Sequence, residues 1–194
     1  MTNVTECDWL LLLPRVPAEP SRHRVALWRE LRKIGAVPAA SGAWTVPAVP
    51  PFTEGLDDAR ALAERGGGTL AVFTAVPGTE ADLAVLAESF ASVRRDEWAE
   101  FEADCGKFDD EIAKEIAKEK FTFGELEEEE QSMERLRRWF RDLKQRDVLR
   151  LPEALSAETR LAACAEALAD FAERVFAAQL PASGPEDAEH ARRA

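Results

Sequence analysis

Tyrosine is absent from this 194-residue chain, histidine occurs twice, and no serine or cysteine sits in a glycine-flanked nucleophile setting with a base at hand. Nucleophilic catalysis therefore has no visible machinery, and an enzyme is the less favoured reading. Cys7, Cys105 and Cys164 are far apart, odd in number and outside the paired spacings of zinc sites and redox motifs. A reduced, cytoplasmic setting is expected. Neither His23 nor His190 stands in an E-x-x-H context, so no metal and no cofactor are expected. The N-terminus lacks a basic region followed by a long apolar segment, and no apolar run is long enough to span a bilayer, so no membrane partner is expected.

Basic excess is missing too. The formal net charge is −12, which argues against non-specific nucleic-acid binding by the molecule as a whole. The distribution is uneven: residues 1–80 carry eight Lys/Arg against nine Asp/Glu, and residues 81–194 carry 17 against 28. The first part is nearly neutral, and its cations gather in one stretch, Arg22, Arg24, Arg29, Arg32 and Lys33.

That stretch lies inside the most informative segment, Asp8 to Pro47. Leu10 to Leu13 is a short apolar run stopped by Pro14 and reads as a buried strand. Ser21 can cap a helix carrying Val25, Trp28, Leu31 and Ile34 on one stripe, with Gly35 ending it. Ser41-Gly42 separates Val37–Ala40 from Ala43–Val46 as a hairpin whose first strand Pro38 keeps at an edge or bulge. Beyond a Pro47, Pro50, Pro51 link, Thr53 can cap a helix with Leu56, Ala59, Leu62 and Ala63 on its apolar face. Gly66-Gly67-Gly68 stops that helix; because it precedes a strand, it does not match a dinucleotide loop. Thr69 to Val76 is a further strand. The expected class is α+β, a ferredoxin-like (Cas2-like) βαββαβ domain over residues 1–78.

Residues 79–180 read as an α-helical extension packed on that domain. Leu83, Leu86, Phe90, Val93 and Phe101, with Trp98 beside them, mark one helix; Phe108, Ile112 and Ile116 belong to a second helix or to its continuation. Thr122-Phe123-Gly124-Glu125 has the form of a capping box, opening a helix with Leu126, Met133, Leu136, Phe140 and Leu143 inward. Ser156 can cap the last helix, on which Leu161, Cys164, Leu168, Phe171 and Val175 form a seam. Residues 181–194 are expected to be a disordered tail. The acidic block Glu125 to Glu134, followed by Arg135, Arg137, Arg138, Arg141, Lys144 and Arg146, suits the helix dipole and pairs such as Glu134 with Arg138. Helix stabilisation is its simplest role.

The WLLL-x-R-x-P opening, the PSRxRVxxWRxLRxxGA helix, the GAWxxP hairpin, and KFTFGELEEEE with RLRRWFRDLKQRD together resemble the N-terminal region of ChrB-type chromate resistance proteins, from about Trp9 to Phe176. The hairpin is also similar to the Cas2-like domain of PaaX-type repressors. The resemblance implies a regulatory or sensory protein of a chromate or related oxyanion response, with transcriptional control as the activity; longer members continue into a second half. It singles out Arg138, Arg146 and Asp147. With Arg15 and Arg24, Arg138 and Arg146 are the expected oxyanion-binding set, since a forked guanidinium donates in pairs. An Arg–carboxylate network is the equal alternative. Arg22, Arg24, Arg29 and Arg32 are the expected DNA contacts, because no helix-turn-helix is apparent. Trp9, Trp28 and Trp44 are candidate pocket aromatics, though core burial is the more common fate of tryptophan. A homodimer is expected from the edge strand and the last helix's seam. The alternatives are a ligand-binding module without DNA contact, or an enzyme using Arg and carboxylates on a small anionic substrate.

Overall fold

The computed structural model describes residues 8–180, so the expected tail lies outside the described residues. Two compact units divide the chain: Met1–Glu97 with Asp142–Pro152, and Trp98–Arg141 with Glu153–Ala194. The fold is α+β, with one four-stranded antiparallel sheet and a majority of helix.

In the first unit the elements are β1 (Trp9–Arg15), α1 (Ser21–Lys33), β2 (Val37–Ala40), β3 (Ala43–Pro47), the short α2 (Pro50–Thr53), α3 (Leu56–Arg65) and β4 (Thr69–Ala75). The strands run in the order β2-β3-β1-β4, each pair antiparallel. As expected, β2 is an edge, and its register slips between Pro38 and Ala40. Strand β1 runs through Pro14 rather than stopping there. Its pairing with β3 ends at Leu12↔Trp44, while its pairing with β4 continues to Arg15↔Thr69. Beyond Leu12 one side of β1 is thus unpaired, which is where a strand tolerates a residue without an N–H.

Helix α1 buries Leu27 and Leu31, with its C-cap Ile34 also buried, and leaves Val25 and Trp28 at 42 % and 47 % exposure, which corrects the expected stripe. Leu27 and Trp28 lie four and three residues before Leu31, so both satisfy helical spacing. Packing against the sheet selects Leu27. Two expected caps also move. Pro20 holds the N-cap position and Ser21 is the first helical residue. Thr53 closes α2, donating to the Pro50 carbonyl at 3.3 Å, while α3 starts after Gly55.

Both long helices of the βα connections in this unit are closed by the same arrangement. At α1, the Gly35 N–H donates to Arg32 O (3.0 Å) and the Ala36 N–H to Leu31 O (2.9 Å), with Gly35 at φ +83°. At α3, the Gly67 N–H donates to Glu64 O and the Gly68 N–H to Ala63 O, each at 2.9 Å, with Gly67 at φ +71°. These are Schellman closures, in which the left-handed residue lets two orphan carbonyls be satisfied. The glycine triplet is therefore a helix stop. Gly68 has a separate role, because a Cβ there would stand 2.0 Å from the Arg15 carbonyl oxygen.

Helix α4 (Glu80–Ala117) is continuous, so Phe108, Ile112 and Ile116 extend it. Its residues 80–97 belong to the first unit, where Phe90 meets Trp9 and Phe52 edge-on at 5.9 and 5.4 Å. The core here gathers Trp9, Leu12, Val46, Phe52 and Phe90 with the buried residues of α1 and α3.

The second unit holds the rest of α4, α5 (Phe123–Arg146) as far as Arg141, and α6 (Glu153–Gln179). Helix α6 starts three residues before Ser156, which is not its cap. The Thr122 box is half formed: the Glu125 N–H donates to Thr122 Oγ1 at 3.2 Å, but the Glu125 carboxylate takes the Lys120 ammonium at 3.1 Å. Trp98, Phe101, Trp139 and Phe140 form one aromatic cluster, with ring centroids 5.4 to 6.2 Å apart. Cys164, Phe171 and Val175 of the expected α6 seam are buried, and Cys164 Sγ lies 3.6 Å from the Cys105 carbonyl oxygen. Burial, more than the acidic neighbours, pushes both thiols above the ordinary range, which makes them poor nucleophiles. Among the described residues no helix is long and apolar enough to cross a membrane.

Candidate functional site

Two features of the first unit are built from its arginines. The first is the outward face of α1. Because Leu27, Leu31 and Ile34 turn to the sheet, Arg22, Arg24, Arg29, Arg32 and Lys33 are all exposed. Lys33 pairs with Glu30 at 3.0 Å, and the Arg32 guanidinium lies over the Trp28 ring, 5.3 Å from its centroid. Arg22 Nε reaches His23 Nε2 at 3.4 Å. Of the five, Lys33 alone makes an ion pair among the described residues. Arg32 and Lys33 also sit in the last turn, where cations suit the helix dipole.

The second feature lies at the C-terminal end of the same helix. Arg94, on α4, is 3 % exposed, its guanidinium over the Phe90 ring at 5.0 Å. Its Nη2 donates to Glu97 Oε1 at 3.1 Å, while Nε and Nη1 are buried without a hydrogen bond. Arg146 donates from Nη1 to the Lys33 carbonyl at 3.0 Å, and its Nη2 stands 3.8 Å from Glu97 Oε2. One carboxylate thus serves two guanidinium groups. Burial draws the Arg94 pKa down to about 10; Glu97 opposes that shift, and Arg146 and Arg32 add to it. Gly35 makes the room: a Cβ there would come within 2.9 Å of Arg94 Nη1 and of Phe52 Cε1, and 3.0 Å of Arg146 Cδ.

The expected residues are therefore dispersed. Arg15 is exposed at the end of β1, and Arg24 is exposed in the first turn of α1. Arg146 meets Lys33, nine residues beyond Arg24, or about 13 Å along the helix axis. Arg24 and the Arg146 guanidinium thus lie toward opposite ends of α1. Arg138 is exposed on α5 in the second unit, and Glu134 pairs with Arg141 (3.1 Å) rather than with Arg138. Asp147 Oδ1 accepts the Leu151 N–H at 3.1 Å, holding the turn after α5. Trp9 is fully buried, whereas Trp28 and Trp44 line one groove with Arg24. The residue that sequence reading missed is Arg94. Its signal was present: it falls four residues after Phe90 and four before Trp98, a charge on the apolar stripe of α4.

In the second unit, a groove of about 480 Å³ between α4 and α5 is lined by Glu129, Glu111 and Asp104 along with Lys107 and Arg135. Glu129 is 7 % exposed. Burial, and then Glu111, Glu115, Glu125 and Glu128, raise its pKa. The sign follows: the unfolded chain releases this proton at lower pH, so stability falls as pH rises through the window above the ordinary carboxylate value, and the penalty persists beyond it. Glu129→Gln should raise the melting midpoint by roughly 1–3 °C at about pH 7.5, and the gain should vanish at about pH 4. Thermal unfolding at the two pH values measures it; a gain that is independent of pH would show that the charge is not the cause.

The family model described as Protein ChrB, N-terminal, matches residues 24–182, which takes in most of α1, the hairpin, Arg94 and all of α5. No curated protein and no solved structure matches the chain. The chain belongs to the ChrB family, whose N-terminal region it represents, and is thereby a chromate-resistance-related protein.

Proposed function

We propose that the protein is a regulator of a chromate or related oxyanion response, acting in the cytoplasm by transcriptional control, and that α1 is its DNA contact. One observation carries this reading: α1 presents five exposed cations, four of them without an ion-pair partner among the described residues, in a chain of net charge −12. Elsewhere many Lys and Arg side chains are matched, as with Lys114 on Glu111, Arg141 on Glu134 and Arg174 on Asp170. Unmatched cations on one helix are what phosphate attraction requires. We also read the sheet unit as a ferredoxin-like, Cas2-like module, supported by the strand order β2-β3-β1-β4 and by two long helices in the connections, with α2 as an added turn. Within the first unit, an oxyanion effector fits the exposed Arg15 or Arg24 better than Arg146, which would have to exchange Glu97 for it.

Gel-shift titration with the protein's own upstream DNA tests the assignment. Arg22→Ala with Arg29→Ala should weaken binding about tenfold or more and lower the salt slope by about one for each phosphate no longer neutralised. Unchanged affinity and slope in that double variant would sink the assignment. Absence of any shift by the wild type would favour a ligand-binding module without DNA contact.

A further inference from the structure

A groove opens beside α1 at the end of the sheet where β1 outruns β3. Trp44 is the last residue of β3 paired with β1, so Leu13 and Pro14 have no strand partner on that side. The groove measures about 390 Å³, within the ordinary range of small-ligand sites. Its walls are Pro14, Leu27 and Leu31, with Val25, Trp28 and Trp44 toward the opening. Trp28 at 47 % and Val25 at 42 % exposure leave apolar surface uncovered. Arg24 stands in the lining, and no Asp or Glu does.

We infer that this groove binds a small planar anion, a flat ring bearing a carboxylate or phosphate. Two tryptophans offer ring surface, and aromatic faces stack on flat π-systems of any identity. Arg24, with no hydrogen bond or ion pair among the described residues, is available to fork onto the anionic group. Arg32, stacked on Trp28, adds a second positive charge next to the same ring. Charge complementarity thus selects against cations, and the apolar walls select against a bare inorganic oxyanion. The inference stands independently of the DNA contact.

Calorimetry on the full chain with two probes, 1-naphthoate and adenosine monophosphate, tests it and separates an aryl acid from a nucleotide as the natural ligand. At least one should give saturable heat below millimolar concentration. Trp28→Ala should weaken that binding about tenfold or more. Arg24→Gln should weaken 1-naphthoate severalfold while leaving the neutral analogue 1-naphthylmethanol unchanged. Both side chains are exposed, so both variants should keep the wild-type melting midpoint. Val25→Phe, which fills the groove without removing an aromatic or a charge, should also block binding. The inference is overturned by no saturable heat from either probe, or by equal binding in Trp28→Ala and Val25→Phe. It is equally overturned if light scattering shows a dimer that Trp28→Ala dissolves, since a second copy would then occupy the groove.

Discussion

Gly35→Ala should destabilise the protein by about 2–4 kcal/mol, through a left-handed backbone and a steric conflict acting together. At φ +83° an L side chain costs about 1–2 kcal/mol, because its Cβ approaches the carbonyl oxygen. The added methyl would also press on Arg94 Nη1, Phe52 Cε1 and Arg146 Cδ at 2.9 to 3.0 Å. The arginine atoms can give way only by loosening Arg94 from Glu97 or Arg146 from the Lys33 carbonyl, and Phe52 is fully buried. Gly42 supplies the internal control. It has φ +74° in the hairpin turn, and a methyl added there would meet nothing within 4 Å, so Gly42→Ala carries the backbone cost alone, about 1–2 kcal/mol. Denaturant unfolding of the two variants isolates the steric part as their difference. Equal losses would mean that the Arg94–Arg146 network does not resist displacement.

The second large effect is expected at the network itself. Glu97→Gln should cost about 3–4 kcal/mol and Arg94→Met less, because the carboxylate that Arg94→Met leaves behind is partly exposed. Removing Arg94 leaves Glu97 with only the 3.8 Å approach of Arg146. Removing the Glu97 charge leaves a 3 %-exposed guanidinium beside two other cations, with its nearest counter-charge gone. Each single variant thus strands a charge, a buried one in Glu97→Gln and a partly exposed one in Arg94→Met, whereas the double variant replaces the pair by groups of similar volume that need no counter-ion. Its cost should fall short of the sum by about 1 kcal/mol or more. A double-mutant cycle by denaturant unfolding reads this coupling. Additive losses would reduce the interaction to packing of the Arg94 stem on Phe90. An unchanged Glu97→Gln variant would remove the network from any account of stability.

The network also bears on the two readings of the C-terminal arginines of α5. Arg146 is engaged by the Lys33 carbonyl at the end of α1 and by a carboxylate, so it ties the end of α5 to the sheet unit. That is the Arg–carboxylate alternative at this position. What stays open to a ligand is the face at the other end of α1, where Arg24 meets Trp28 and Trp44.

Local structure was legible in the residues alone wherever one residue type had a single physical solution. Ser41-Gly42 had to turn, Pro38 had to sit at an edge, Gly35 and Gly67 had to close helices, and Thr122 had to accept an N–H at the start of α5. Spacing alone also placed Leu126, Met133, Leu136 and Leu143 of α5 and Cys164, Phe171 and Val175 of α6 inward, but not the buried Glu129. It could not choose between Leu27 and Trp28 on α1, since both lie in register with Leu31 and only the sheet's surface distinguishes them. Nor could it decide whether α4 continues through the charged stretch Glu100 to Asp110, because exposed charges are as compatible with helix as with loop. The grouping of Arg94, Glu97, Arg146 and the Lys33 carbonyl joins residues up to 113 apart, and the groove lies where one strand outruns its neighbour. Both are outcomes of chain packing, which brings distant residues into contact by burying apolar surface that carries no record of its partner's identity.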